Sequence, residues 1–484
     1  MKDSSFVFGF AVVLSTALLA SCGGGQPGGQ LPAAQAPSSF VAAAHGASSV
    51  HYRLVYMGTF GGPASEGTQI NASGETAVVG WSATSFREPP HAHPLICGGS
   101  DNIIKFVTHA FEWRGGRIAD FGSLGGPRYC SIESQNPPNA AGDFVGLSEN
   151  GAIDPQTGFD QSRAVVFRNG RIYDLGSFGG NQNGGNQIND QGQSVGFSLN
   201  TVPDPYSFMD FIFLGSSVGT QTRAFLSEHG HMRDLGTLGT GNDAWAFFIN
   251  RHGQVGGVSY TNTTPSPVFG FPTLDPFFWN GHRMIDLGTL GGTYSLPAAM
   301  NDRGEIVGQS YLADEATTHP FYWNGSKMID VGTAGGSQGG AGAISDRGEV
   351  IGSTTTAGDK FDRGFVWKNG VRTDLPPLAG DCGSNAYAID SQGRVFGNST
   401  DCRCPLPFIC DRHVVIWDRG TIINVGDLVD KGAPLRITAV GGASLAGPGI
   451  VNARGDIVGI GVPPGVPRYN DYRRGQPFLL IPER

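Results

Sequence analysis

Six aspartates recur in one phrase, Asp-Leu-Gly or a close variant, at Asp120, Asp174, Asp234, Asp286, Asp330 and Asp374. A ring of carboxylates could hold calcium or move protons. A residue repeated in every copy of a periodic chain is better read as a fastener, its carboxylate accepting loop N–H groups. The recurring Asn-x-x-Gly turns also invite a calcium reading. An oxygen cage needs about six to eight ligands, and each turn offers too few acidic ones. They read as structural turns, since Asn and Gly tolerate left-handed backbone. His91 and His93 could supply two metal ligands, but Glu88 is the sole carboxylate and Cys97 the sole cysteine at hand, so they read as loop residues. No Ser-His-Asp order, nucleotide loop or His-Glu-x-x-His phrase is present. No catalytic residue, metal or cofactor is assigned. Paired carboxylates unique to one repeat and converging at an axial mouth would argue for an enzyme instead.

Cysteines supply the next chemistry. Beyond Cys22 there are six: Cys97, Cys130, Cys382, Cys402, Cys404 and Cys410. An even number in an exported chain reads as disulfides. The repeat map below places Cys97 beside Cys130 and gathers the other four in one unit. It predicts Cys97–Cys130, Cys382–Cys402 and Cys404–Cys410, with the pairing inside the second group left open. A metal site on Cys402-Arg403-Cys404 is the rival reading, though its spacing differs from the usual Cys-x2-Cys of structural zinc.

Aromatic residues outside the repeat carry the binding expectation. Tyr206, Phe208, Phe211 and Phe213 crowd one insertion, Tyr260, Phe269 and Phe271 the next, and Tyr469 and Tyr472 the last, beside Arg468, Arg473 and Arg474. Loop aromatics with no repeat duty can stack on a glycan or anchor a protein. The alternative is that they pack beneath their own loops. The recurrent Trp113, Trp279, Trp323, Trp367 and Trp417 read as core between repeats.

The elements that must position these residues follow from periodicity. The phrase from Trp279-Asn280-Gly281 to Gly308-Gln309-Ser310 returns forty-four residues later, from Trp323-Asn324-Gly325 to Gly352-Ser353. Each unit holds four apolar segments of four to seven residues, bounded by Gly or Asn. Two of its joints carry hairpin chemistry. One turn can be counted along the chain, starting at Asn71, Asn139, Asn189, Asn250, Asn301, Ser345, Asp390 and Asn452. Eight copies predict an all-β, eight-bladed β-propeller of four-stranded antiparallel blades. The second copy is weakest, because Pro137 and Pro138 stand where a paired strand belongs.

The described order starts on a first-type segment (54–57) and ends on a fourth-type one (477–480), so the N-terminal strand is expected to close the last blade. Strand parity then places the Gly-Gly loops and the variable connections on one face and both hairpin turns on the other. The variable connections are long at 83–107, 199–221, 260–274, 400–412 and 462–475, and short at 311–318. Insertions gathered on one face of a ring mark a binding face.

The ends and the bulk composition set the address. Lys2, the apolar run from Phe6 to Ala20 and Leu19-Ala20-Ser21-Cys22 resemble a bacterial lipoprotein signal, giving residues 1–21 as signal and Cys22 as the lipidated residue. Residues 22–50, rich in Gly, Pro, Ala and Gln, read as a flexible tether, and 51–484 as the propeller. Gly24 in place of Asp favours outer-membrane sorting, and membrane contact is expected through the lipid at Cys22. With net charge −9 and pI near 5.6, no basic footprint for nucleic acid exists. A monomer is expected.

His109-Ala110-Phe111, Arg223-Ala224-Phe225 and His319-Pro320-Phe321, with Asp234-Leu235-Gly236-Thr237-Leu238-Gly239 and Asp286-Leu287-Gly288-Thr289-Leu290-Gly291-Gly292, resemble the bacterial extracellular HAF repeat family over nearly all of 52–481. The resemblance implies an extracellular repeat protein and carries no catalytic residues. The paired glycines and late aromatic are also similar to kelch propellers, as fold analogy. The expected function is non-catalytic binding of an extracellular glycan or protein through the insertion loops. The alternatives are a propeller glycan lyase or hydrolase, and a structural envelope protein.

Overall fold

Short apolar runs separated by Asn-Gly and Asn-x-x-Gly joints favour a meander of antiparallel strands. The computed structural model describes residues 41–42, 51–72, 75–94, 96–97, 104–208, 219–401, 412–440, 448–466 and 474–483. Eight four-stranded meanders stand around one axis. In the fifth blade the strands are Gly291–Met300, Ile306–Leu312, Thr318–Trp323 and Met328–Asp330, ordered from the axis outwards. The small-residue strand is innermost: Gly291–Met300 packs beside Gly335–Ile344, and that beside Asp381–Ile389.

The ring closes as expected. His51–Tyr56 is the outer strand of the eighth blade, antiparallel to Gln476–Glu483, with Leu54 opposite Leu480 and Val55 opposite Leu479. This removes the open edges that invite aggregation. The second blade is the weak one, its inner strand reduced to Ser131–Glu133 before Pro137 and Pro138. Val41–Ala42, inside the segment read as a free tether, runs parallel to Thr421–Ile422 on the outer edge of the seventh blade. The signal, Cys22 and the rest of the tether lie outside the described residues.

One device recurs in the inner half of the blades. Seven inner strands slip register by a residue midway, in the fifth blade between Pro297 and Ala299. Gly308 of the Val-Gly phrase stands opposite that bulge. A Cβ there would run into the Leu296 carbonyl and the Phe321 ring, so glycine is required by close approach and not by its dihedrals.

The core lies between blades. Phe111, Phe225, Phe277, Phe321, Phe365 and Phe478 on the third strands are fully buried, as is each recurrent tryptophan to within a few percent. Trp323 lies 5.2 Å from Phe278 of the preceding blade, and Trp367 lies 5.0 Å from Tyr322 of its own preceding blade. These are the inter-blade contacts the sequence predicts.

On the turn face, the Asn-x-x-Gly turns stitch neighbours together. Asn301 Oδ1 accepts the backbone N–H groups of Arg303 and Glu305 (3.1 and 3.0 Å), shaping its own turn. Its amide donates to the Ser345 carbonyl in the next blade at 3.0 Å. Asn139, Asn189 and Asn250 repeat that bond to Asn189, Asn250 and Asn301 at 3.3, 3.1 and 3.3 Å. The following aspartates add a second stitch: Asp190, Asp302 and Asp346 accept N–H groups from Ala140, Arg251 and Asp302 of the preceding blades. A shallow cleft on this face, lined by Arg303, Glu305, Tyr322, Arg347 and Trp367, is internally satisfied, with Tyr322 donating to Glu305 at 2.7 Å and Arg303 paired with the same carboxylate.

Candidate functional site on the insertion face

The opposite face begins with the crossover loops. Asp120, Asp174, Asp234, Asp286 and Asp330 each accept the N–H of the glycine two residues on, at 2.7 to 2.8 Å. The fastener reading holds for these five; Asp374 is followed two residues on by Pro376, which has no N–H to donate. The same carboxylates meet a basic side chain on the neighbouring strand in the first, second, third and fifth blades: His109, Arg163, Arg223 and His319. In the sixth blade Asp374 pairs instead with Arg372 at 2.9 Å.

The insertions extend the blades themselves. In the first four, the second and third strands continue past a bulge into a projecting hairpin, with pairs Arg87–Phe106, Ile153–Asp160, Pro203–Thr220 and Pro265–Pro272. The second-blade extension leaves no mark in the sequence, because it contains no unusual composition. The fifth and sixth blades have only short turns there.

Two of the loop aromatics, Phe208 and Tyr260, are structural, which corrects the binding expectation for them. Phe208 and Tyr260 are each 1% exposed. With Phe197, Trp245, Tyr294 and Leu296 they form one cluster bridging the third, fourth and fifth blades. Phe269 and Phe271 are half-buried against it, their rings stacked 5.8 Å apart. Tyr206 is half-buried. The insertions are long enough to fold back over the ring, and burying these faces is worth more than leaving them in water. Phe211, Phe213, Tyr469 and Tyr472 lie outside the described residues.

Cys97 and Cys130 are joined as predicted, their Cα atoms 5.3 Å apart, linking the first blade's insertion to the second blade's crossover. Cys382 is also disulfide-bonded, while Cys402, Cys404 and Cys410 lie outside the described residues. His91 and His93 serve different partners. His91 Nδ1 meets the Gly158 carbonyl at 3.0 Å, and the buried His93 is held neutral, its pKa lowered to about 4 by burial.

Non-repeated buried carboxylates tie the insertions down, and no periodicity marks them. Glu149 accepts the N–H groups of His93 and Cys130, both at 2.6 Å. Burial pushes its pKa up to about 7, against the lowering effect of those two donors. Cys97, Cys130 and Glu149 cluster closely enough to suggest a metal, but both sulfurs are spent in the disulfide and the carboxylate on backbone donors. Asp243 does the same work in the third and fourth blades, accepting the N–H groups of Phe208 and Thr222, and burial raises its pKa well above the usual range.

What this face exposes is mainly aliphatic. Phe86, Ile153, Val202, Val268 and Phe361 stand exposed at the hairpin ends and loops of the first four and the sixth blades. A carboxylate pair unique to one blade does exist, Asp275 with Asp286, but it stands on the third and outer strands of the fourth blade and not at the axial mouth.

The chain matches no family model, and no curated protein matches it. Among solved structures it is similar to the β-propeller domain of the Trilobed protease from Pyrococcus furiosus (12% identity, TM-score 0.41, covering 75% of this chain and 96% of that one). An acylaminoacyl peptidase is similar at 10% identity and TM-score 0.42, over 82% of this chain but 58% of the peptidase. A Xanthomonas campestris gluconolactonase is similar at 12% identity and TM-score 0.26, over 95% and 99%.

Proposed function

We propose that this chain is a non-catalytic propeller of HAF-repeat type, lipid-anchored through Cys22 in the bacterial cell envelope, that binds an extracellular protein on its insertion face. One observation carries the reading: the exposed Phe86, Ile153, Val202, Val268 and Phe361 all crown that face. Aliphatic tips do not stack on sugar rings, Phe208 and Tyr260 are buried, and the two exposed rings of that face, Phe86 and Phe361, already lie beneath Arg128 and Lys360 at 5.1 and 5.4 Å. A protein ligand is therefore favoured over a glycan.

The test places a photo-crosslinking residue at Val202, at Val268 and, as a control on the opposite side, at Val371, each in intact cells. A discrete protein adduct from the first two positions alone is expected. No adduct, or the same adduct from Val371, removes the proposal. A glycan array on the fragment 51–484 covers the rival ligand class. Loss of lipid labelling in Cys22→Ala tests the anchor separately.

A further inference from the structure

Two residues before the buried aromatic or valine of each third strand, the first seven blades carry His109, Arg163, Arg223, Asp275, His319, Arg363 and His413. Three of these are arginines and three histidines, and the fourth is an acid. In the second and third blades the arginine makes a two-pronged pair with the outer-strand aspartate, at 3.0 and 3.2 Å for Arg163 and 2.9 and 3.2 Å for Arg223. Register places Asp275 in the same relation to Asp286. Where its sisters meet a cation, Asp286 meets a second carboxylate.

The substitution leaves a specific imbalance. Asp275 is 7% exposed and its Oδ1 is buried with no hydrogen-bond partner. Among the described residues, Asp286 is the charged group that acts on it. Burial, and after it the Asp286 charge, push the Asp275 carboxyl up to about 7. Two carboxylates in contact this close call for a cation or a shared proton. Access comes from the Asp286 side, which is exposed. The arginines at the sister positions keep 17% and 15% of their side chains in solvent, so a cation held in this way is reachable from outside.

We propose that Asp275 and Asp286 form a receptor for an external guanidinium, supplied by an arginine of the bound protein and docking as Arg163 and Arg223 do within their own blades. The source of the cation rests on the protein-ligand reading above. The pair stands in the blade that also carries the exposed Val268, so an arginine beside an apolar residue is the ligand feature that fits.

The test uses the full chain in detergent at pH 8, titrated with N-acetyl-arginine amide and, as the neutral isostere, N-acetyl-citrulline amide. Preference for the arginine compound by about fivefold or more is expected, the scale of one partly exposed charge pair. Asp275→Asn abolishes the preference while keeping the shape. Asp275→Arg supplies the cation internally, abolishes it too, and raises Tm. Equal response to both compounds, or a preference surviving in Asp275→Asn, overturns the inference. So does a rise in Tm with calcium chloride at matched ionic strength and none with the arginine compound, which would assign the pair to a metal. In cells, Asp275→Asn should weaken the Val202 adduct. An arginine preference without any adduct keeps the cation site and overturns its assignment to a protein ligand.

Discussion

On the turn face Asn139, Asn189, Asn250 and Asn301 repeat one bond from blade to blade, whereas on the insertion face Glu149 and Asp243 each hold a different pair of backbone donors. The first face can be stitched by repetition because every blade presents the same turn at the same height. The second must be solved loop by loop, since each insertion differs in length and composition. Buried carboxylates are a costly solution, acceptable where backbone donors saturate them. Between pH 5.5 and pH 8 stability on the turn face should therefore be insensitive to pH and spread evenly, because Glu305 and Glu349 there are held below the usual carboxylate range, while the insertion face concentrates it in a few titratable and covalent ties.

The largest expected effect is on pH. Glu149 and Glu133 have folded pKa values of about 7, raised from 4.5 mainly by burial. A carboxyl raised on folding contributes stability that is fully present below its unfolded pKa and lost as pH rises through the folded one. Each should cost about 3 kcal/mol between those limits. The urea midpoint of the fragment 51–484 should thus fall between pH 5.5 and pH 8, and Glu149→Gln should remove part of the change, the rest belonging to Glu133, Asp243 and Asp275. Equal midpoints at the two pH values would show that these acids are not held as described.

Next in size is the covalent tie. Replacing Cys97 and Cys130 together by Ser frees a loop with a sequence separation of 33. The loss should be about 3 kcal/mol. Limited proteolysis should then cut first within 88–105, on the insertion face. A first cut at any Asn-x-x-Gly turn would invert the contrast between the faces.

A single stitch is worth less. Asn301→Ala removes the amide bond to Ser345 and the two turn-shaping bonds, for about 2 kcal/mol of lost stability by chemical denaturation. Asn250→Ala should match it closely, because both sit in the same ring. Unequal losses would break the claim of repetition. The smallest effect belongs to Val268→Ser: within about 0.5 kcal/mol of wild type, since the side chain is 58% exposed. If Val268 serves only binding, its replacement should change crosslinking and leave the melting temperature alone.

What was legible in the sequence was whatever repeats. The blade count came from Asn71 to Asn452, closure from the mismatch of the end segments, and the faces from parity. The fastener role of Asp120 and its copies followed from their recurrence alone. Cys97–Cys130 followed because the map brought two insertions together. The insertion contents were misread for a physical reason: an aromatic in a loop looks available until the loop's path is known. Phe208 and Tyr260 sit in segments long enough to fold inward over Trp245, and no periodicity marks that return. Glu149 and Asp243 look like ordinary surface acids in one dimension, because their burial is made by other blades' loops. Asp275 differs again. Its anomaly is written in the sequence, but it becomes visible only once register aligns it with Arg163 and Arg223.

The pairing of His51 with Glu483 means that the two outermost positions of the described circle face each other across a single ladder. A polypeptide arranged in this way has no privileged starting sector. Severing the backbone at Asn324-Gly325 and splicing the old extremities with a few flexible residues should yield a permuted molecule with the same shape. In the original order, the eighth sheet cannot assemble until both ends are available, so its strands are the last to gain protection as the circle forms.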